Sequence, residues 1–187
     1  RVKWGQVFRS GALADMTQAD LSTVVGMGIR LVCDFRSDNE VSTKPDPDLG
    51  AEQLRVAVND ESVDVQALTD MIVSGNIEQI DPNLLRDGMP KIALNFDDSW
   101  ASMLRRITDP ASRPTIVHCS AGKDRAGWAS ALVLRALGVP EETVMQDYLL
   151  SQQYLTAANA KTSAQVRTIV AGVKGIPEDQ VDLTNLS

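Results

Sequence analysis

The feature that most constrains this chain is a change of pattern between residues 113 and 137. Arg113 to Cys119 is an apolar run that reads as a strand, and Ala126 to Leu137 is an apolar helix ended by Gly138. Between them lies the polar loop Cys119-Ser120-Ala121-Gly122-Lys123-Asp124-Arg125. A chain that passes from buried strand to buried helix through such a loop belongs with folds that alternate the two elements. In those folds, ligands sit beyond the carboxyl ends of the strands.

The rest of the pattern agrees. Trp4 to Phe8 reads as a short strand, and Thr17-Gln18-Ala19-Asp20 has the spacing of a capping box opening a helix that ends near Gly28. Ile29 to Phe35 reads as a buried strand, and Leu54, Val56 and Val58 alternate as in a half-buried strand with Asn59-Asp60 at its exit. Residues 62–74 and 81–109 are helical in pattern; Pro82 suits a first turn and Pro90 should break or kink the second stretch. Pro140-Glu141-Glu142 opens a further helix that runs to about Leu155.

The expected fold is therefore an α/β sandwich, a central and largely parallel sheet flanked by helices. With 187 residues, 43% of them apolar, the chain suits one core, and residues 1–187 are read as a single domain with both ends open to extension. Three segments fall at strand exits: Asp34-Phe35-Arg36-Ser37, Asn59-Asp60, and the loop beginning at Cys119.

Composition narrows the chemistry. A net charge of -7 provides no general field for nucleic acid or an anionic membrane, so any phosphate recognition must be local. Two cysteines and one histidine, in neither C-x-x-C nor H-x-x-x-H spacing, are too few for a structural zinc site, and no metal or other cofactor is expected. Cys33, inside an apolar run, reads as a buried core residue. No apolar stretch approaches the ~20 residues of a membrane span, so the chain is expected to be soluble. It starts at Arg1 without a methionine, which leaves a removed leader, and so cytoplasmic or exported residence, open.

The loop itself carries the functional signal. Backbone N–H groups of Ser120, Ala121, Gly122, Lys123, Asp124 and Arg125 would gather at a helix N-terminus, where free donors and the helix dipole favour a phosphate or sulfate ion. Arg125 can add a two-pronged pair of charge-assisted bonds. The same field favours Cys119 as a thiolate able to attack phosphorus and form a phosphocysteine, which water then hydrolyses. His118 orients the cysteine, or is a satisfied core histidine; Lys123 is a second contact for an anionic substrate, or a solvated charge. The leaving oxygen needs an acid. Asp124, inside the loop, and Asp60, at the neighbouring strand exit, compete evenly, with Asp97 and Asp98 behind them. The plainer readings are a helix cap for Asp124 and an ordinary turn residue for Asp60.

His118-Cys119-Ser120-Ala121-Gly122-Lys123-Asp124-Arg125-Ala126-Gly127 resembles the signature of the protein tyrosine phosphatase superfamily. Gly5 to Leu13, Leu31 to Ser37 and Gln146 to Leu150 extend the likeness to the bacterial tyrosine and phosphoinositide phosphatases with Gly-Lys-Asp-Arg in the loop. The resemblance covers the chain to about residue 155. It implies Cys119 as nucleophile, Arg125 as clamp, Asp124 or Asp60 as acid, supporting roles for Asp34 and Arg36, and a phosphorylated protein or phosphoinositide as substrate. Relatives commonly place a serine or threonine after the loop arginine; this chain has Ala126. Two other readings remain: a phosphate-binding module without turnover, and an arsenate reductase or rhodanese-like enzyme. The late position of the loop argues against the latter.

Overall fold

Four short strands pair side by side, and all four run in the same direction: β1 (Val7–Ser10), β2 (Leu31–Asp34), β3 (Glu52–Arg55) and β4 (Thr115–His118). Their order across the sheet is β1-β4-β2-β3, so the last strand in sequence is inserted between the first two. This computed structural model describes residues 2–59, 65–81 and 83–184. Strands β2 and β4 are buried along their whole length, as parallel strands covered on both faces must be.

Side-chain alternation divides the interior into two layers. On one face Leu31, Cys33 and Val117 pack with Trp100, Met103 and Ile107 of α5 (Asp97–Thr108) and with Ala126 and Ala129 of α6 (Arg125–Ala136). Phe35 meets Trp100 in this layer, ring centroids 5.3 Å apart and tilted by 58°, a favourable aromatic geometry. On the other face Val32 and Ile116 pack with Leu13, Ile29 and Leu49, and with Leu21 and Val24 of α1 (Gln18–Gly26). Thr17 caps α1 in the expected reciprocal box: its side chain accepts from the Asp20 N–H, and the Asp20 carboxylate accepts from the Thr17 N–H at 3.0 Å.

Two strands sit differently from expectation. Trp4 lies in a turn and is 97% exposed, and the first strand starts only at Val7, because Gly5 takes a left-handed φ of 72°. The third strand is Glu52–Arg55, not a segment ending at Val58. Past Arg55, the Val56 N–H still bonds Asp34 O and the Val58 N–H bonds Phe35 O, so the chain stays beside β2 in irregular form. Pro90 lies inside a helix, α4 (Leu84–Leu94), and the break comes at residues 95–96, where Phe96 leaves helical geometry. The expected 62–74 helix is described from Val65, as α3 (Val65–Val73).

The described residues fall into two compact units, Arg1–Asn59 with Ile92–Ser151, and Asp60–Lys91 with Gln152–Ser187. The first contains the sheet and the Cys119 loop. It also holds α2 (Asp38–Thr43) and most of α7 (Glu141–Tyr154). In the second, α8 (Thr156–Lys174) ends at Gly175, which closes it in the left-handed conformation with φ 64°. Ile77 and Ile80 pack there against Val170, Ala171 and Val181. Among the described residues, no helix is long and apolar enough to cross a membrane.

Candidate active site

The carboxyl ends of the strands lie in register. Ser10 of β1 pairs with His118 of β4, His118 with Asp34 of β2, and Asp34 with Arg55 of β3. All chemistry-bearing segments therefore leave the sheet along one edge, at the place where the strand order reverses. The expected loop lies there. Cys119 is buried, and Ser120, Ala121 and Lys123 are exposed in the loop that follows it. Gly122 makes the turn with φ 70°, and its α-carbon lies so close to the neighbouring chain that an added methyl would fall 2.6 Å from Gly11 N.

Arg125, the first residue of α6, is held from one side. Its Nη1 donates to Glu40 Oε2 and its Nη2 to Glu40 Oε1, both at 2.7 Å, and Nη1 also reaches Phe35 O at 3.2 Å. These bonds use the outer edge of the guanidinium. The Nε–H and the second Nη2–H remain side by side on the other edge, the arrangement that grips two oxygens of one phosphate. Burial would lower the Arg125 pKa, but bonding to Glu40 and the nearby Cys119 sulfur raise it, so the group is a fixed cation.

Glu40 was not singled out in the sequence, yet it links three pieces of the site. It is the N3 residue of a capping box on α2, with Ser37 N donating to its Oε2 at 2.8 Å, and the Ser120 hydroxyl bonds its Oε1. Burial disfavours its charge, but hydrogen bonds from Arg125 and Ser120 outweigh this and hold its pKa at about 2. The spacing Ser37-x-x-Glu40, the same signature read at Thr17, was the available signal.

Beneath the loop is a second ionic cluster. Arg36 is 1% exposed and grips Asp34 in two-pronged fashion, Nε to Oδ1 at 3.0 Å and Nη2 to Oδ2 at 2.9 Å, while Nη2 also bonds Asp46 Oδ2 at 2.5 Å. Asp34 and Arg36, expected as supporting residues, thus form a buried pair that fixes the exit of β2. Asp46, also missed in the sequence, accepts from Leu13 N at 3.1 Å and lies 3.2 Å from His118 Nε2. Asp34, Asp46 and His118 approach one another as metal ligands would, but the cation already seated on both carboxylates is Arg36.

His118 is completely buried, and neither ring nitrogen has a hydrogen bond of good geometry. Burial lowers its pKa; Asp34 and Asp46 pull the other way, and Arg36 reinforces the lowering. It ends β4, directly before Cys119.

The candidate acids separate. Asp124 stands at the N-cap of α6, but its side chain makes no capping bond, so the ordinary structural use of an Asp at that point does not apply. Among the described residues its carboxylate has no hydrogen bond or ion pair, and the residue is half-buried at the loop. Asp60 lies outside the described residues. Asp97 and Asp98 stand in the first turn of α5, where they complement the helix dipole. Cys33 is fully buried, and burial pushes its thiol up to about 12, in keeping with a structural role.

The family model described as the tyrosine phosphatase family matches residues 1–181. The chain belongs to the tyrosine phosphatase family. A Cupriavidus necator protein that bears the name tyrosine-protein phosphatase is 32% identical over 155 residues, 82% of this chain and 55% of that protein. The triple specificity protein phosphatase PtpB of Mycobacterium tuberculosis is 27% identical over 186 residues, 87% of this chain and 67% of that one. A tyrosine-protein phosphatase of Nostoc commune is 25% identical over 155 residues, covering 79% and 48%. The chain thus spans about half to two thirds of the length of these relatives.

Proposed function

We propose that this chain hydrolyses phosphate monoesters through a phosphocysteine on Cys119, with phosphotyrosine in proteins as the principal substrate. The observation that carries this reading is the state of Arg125: Glu40 occupies one edge of its guanidinium and, among the described residues, no carboxylate occupies the other, which adjoins Cys119. Beside it, among the described residues, the N–H groups of residues 120–124 donate to no other group, as a dianion-binding loop requires.

In this mechanism the Cys119 sulfur attacks phosphorus, and the bond to the ester oxygen breaks with transfer of a proton to that oxygen from Asp124. Water, losing its proton to Asp124, then attacks the phosphocysteine and releases inorganic phosphate and the thiolate. Arg125 and the loop N–H groups stabilise the charge on the equatorial oxygens in both steps. The lack of a bonded partner for the Asp124 carboxylate supports its assignment over a purely capping role; Asp60 is the rival.

Serine and threonine phosphates and phosphoinositides are further substrate classes in this reading. The name of the mycobacterial relative, a triple specificity phosphatase, supports activity on more than one kind of phosphoester. The exposed Lys123 supplies a second cation at the loop mouth for neighbouring phosphates.

The test is a panel of phosphotyrosine peptide, phosphoserine peptide, phosphoinositide and p-nitrophenyl phosphate, run on the parent and on Cys119→Ser. The parent turns over and the variant binds without turnover. Equal hydrolysis by the two proteins would end the mechanism, and phosphate binding by a parent that hydrolyses none of the panel would leave a binding module.

A further inference from the structure

We propose that Arg9, on the strand beside the loop, is a positioning residue that turns the loop's peptide planes so that their N–H ends face the phosphate. The inference rests on the reading of the Cys119 loop as a phosphate site and adds the element that gives it its shape.

A loop of free backbone is as ready to present carbonyl oxygens as N–H groups, and carbonyls repel a dianion. Something must select the orientation. In a trans peptide the C=O of one residue and the N–H of the next point in opposite directions in one plane. Fixing a carbonyl therefore aims the following N–H the other way.

Three such carbonyls receive donors from residues 9–12, and one of them, Lys123 O, also accepts the Gly127 N–H of α6 at 3.1 Å. The Ala12 N–H donates to Ser120 O at 3.0 Å, Arg9 Nε donates to Gly122 O at 2.7 Å, and Arg9 Nη2 donates to Lys123 O at 3.0 Å. The planes so held carry the N–H groups of Ala121, Lys123 and Asp124. Two of the three receive a bond from one guanidinium, and Gly122 O is held by it alone.

That guanidinium is itself braced. Its Cζ lies 5.7 Å from the Tyr148 ring centroid, and Nη1 lies 3.9 Å from the Asp147 carboxylate, both on α7. Gly127 makes room for the assembly: a methyl there would fall 2.8 Å from Tyr148 Cε2 and 2.9 Å from Arg9 Nη2. Arg9, Gly127 and Tyr148, far apart in sequence, thus form one clamp behind the loop. Arg9 spends two of its donors on backbone, so it acts on substrate through the loop.

The test separates this geometry from the mere presence of a positive charge. Arg9→Lys keeps the charge but cannot reproduce the rigid two-pronged donation, and Arg9→Met removes both. Orthovanadate inhibition of p-nitrophenyl phosphate hydrolysis measures the nest directly. The alkylation rate of Cys119 with iodoacetamide, with and without vanadate, measures it independently of turnover. Loss of two loop bonds should weaken vanadate roughly 10-fold in Arg9→Lys, raise KM in step, and slow alkylation at neutral pH. Tyr148→Leu, which removes the brace, should shift the same readings in the same direction.

If Arg9→Lys matches the parent in vanadate affinity and alkylation, the proposal fails; this arm decides even where Arg9→Met does not fold. If vanadate fails to protect Cys119 in the parent itself, the phosphate site is what fails.

Discussion

Glu40 and Arg125 meet edge to edge, Oε1 on Nη2 and Oε2 on Nη1, each at 2.7 Å. The carboxylate occupies one side of the guanidinium and so sets the plane of the other side. Glu40→Ala would leave a largely buried cation without its carboxylate partner and less firmly oriented. We expect a loss of about 2 kcal/mol, less than for a fully buried pair because Glu40 is partly exposed, together with a fall in kcat/KM. Inorganic phosphate should raise the melting temperature of the variant more than that of the parent, because the anion replaces the lost partner. Equal phosphate-induced shifts in the two proteins would argue against a fixed Arg125.

The same pair has a pH signature. The Glu40 pKa is depressed from its ordinary 4.5 to about 2 in the folded protein. Its contribution to stability is therefore complete above the unfolded value and is lost as pH falls through about 2. Glu40→Gln should flatten the acid limb of a melting-temperature profile below pH 4.5, and an unchanged slope would show that the pair contributes nothing there.

Asp124→Asn removes a proton donor while preserving shape. Hydrolysis of phenyl phosphate, whose leaving group needs protonation, should fall by about 10²–10³, whereas p-nitrophenyl phosphate should fall far less. A uniform drop across leaving groups, or none, would move the acid role to Asp60.

Ala126 is fully buried in the first turn of α6 and offers no hydroxyl to the departing sulfur. In the proposed mechanism, breakdown of the phosphocysteine should then be slow, giving a pre-steady-state burst of p-nitrophenol equal to the protein concentration. Ala126→Ser should shrink the burst and raise the steady rate. A parent trace that is linear from the first turnover would contradict this.

Cys33 gives the opposite pH limb from Glu40. Its thiol titrates near 9.0 when exposed and at about 12 in the core. The stability it contributes is full below 9.0 and is lost as pH rises toward 12, because only the unfolded chain can ionise it in that window. Cys33→Ala should lose less stability between these limits than the parent. Iodoacetamide should label one cysteine in the native protein and two after denaturation.

Much of the site was legible in the sequence because its signals are local. The loop's Cys and Arg lie six positions apart, Gly122 marks a turn only glycine can make, and the Thr17 capping box is complete within four residues. Asp34 and Arg36 were placed at the site by the strand they end, although not as a buried pair. Glu40, Asp46 and Arg9 were missed for another reason. Their roles at the site lie mainly in long-range contacts, which bridge 85 positions for Glu40 and 113 for Arg9. The strand limits slipped where an edge strand is exposed and its pairing continues irregularly, as after Arg55. Pro90 was expected to break or kink the stretch; it does not break it, because a proline deletes one rung of the ladder and α4 continues to Leu94.

The alignment of Ser10, His118, Asp34 and Arg55 along one edge bears on how the site is assembled from the chain. Each adjacency joins parts of the chain that are synthesised at different times, and a central strand is made last. A chain ending before residue 115 would lack the strand that joins β1 to β2 and, with it, the Cys119 loop that follows.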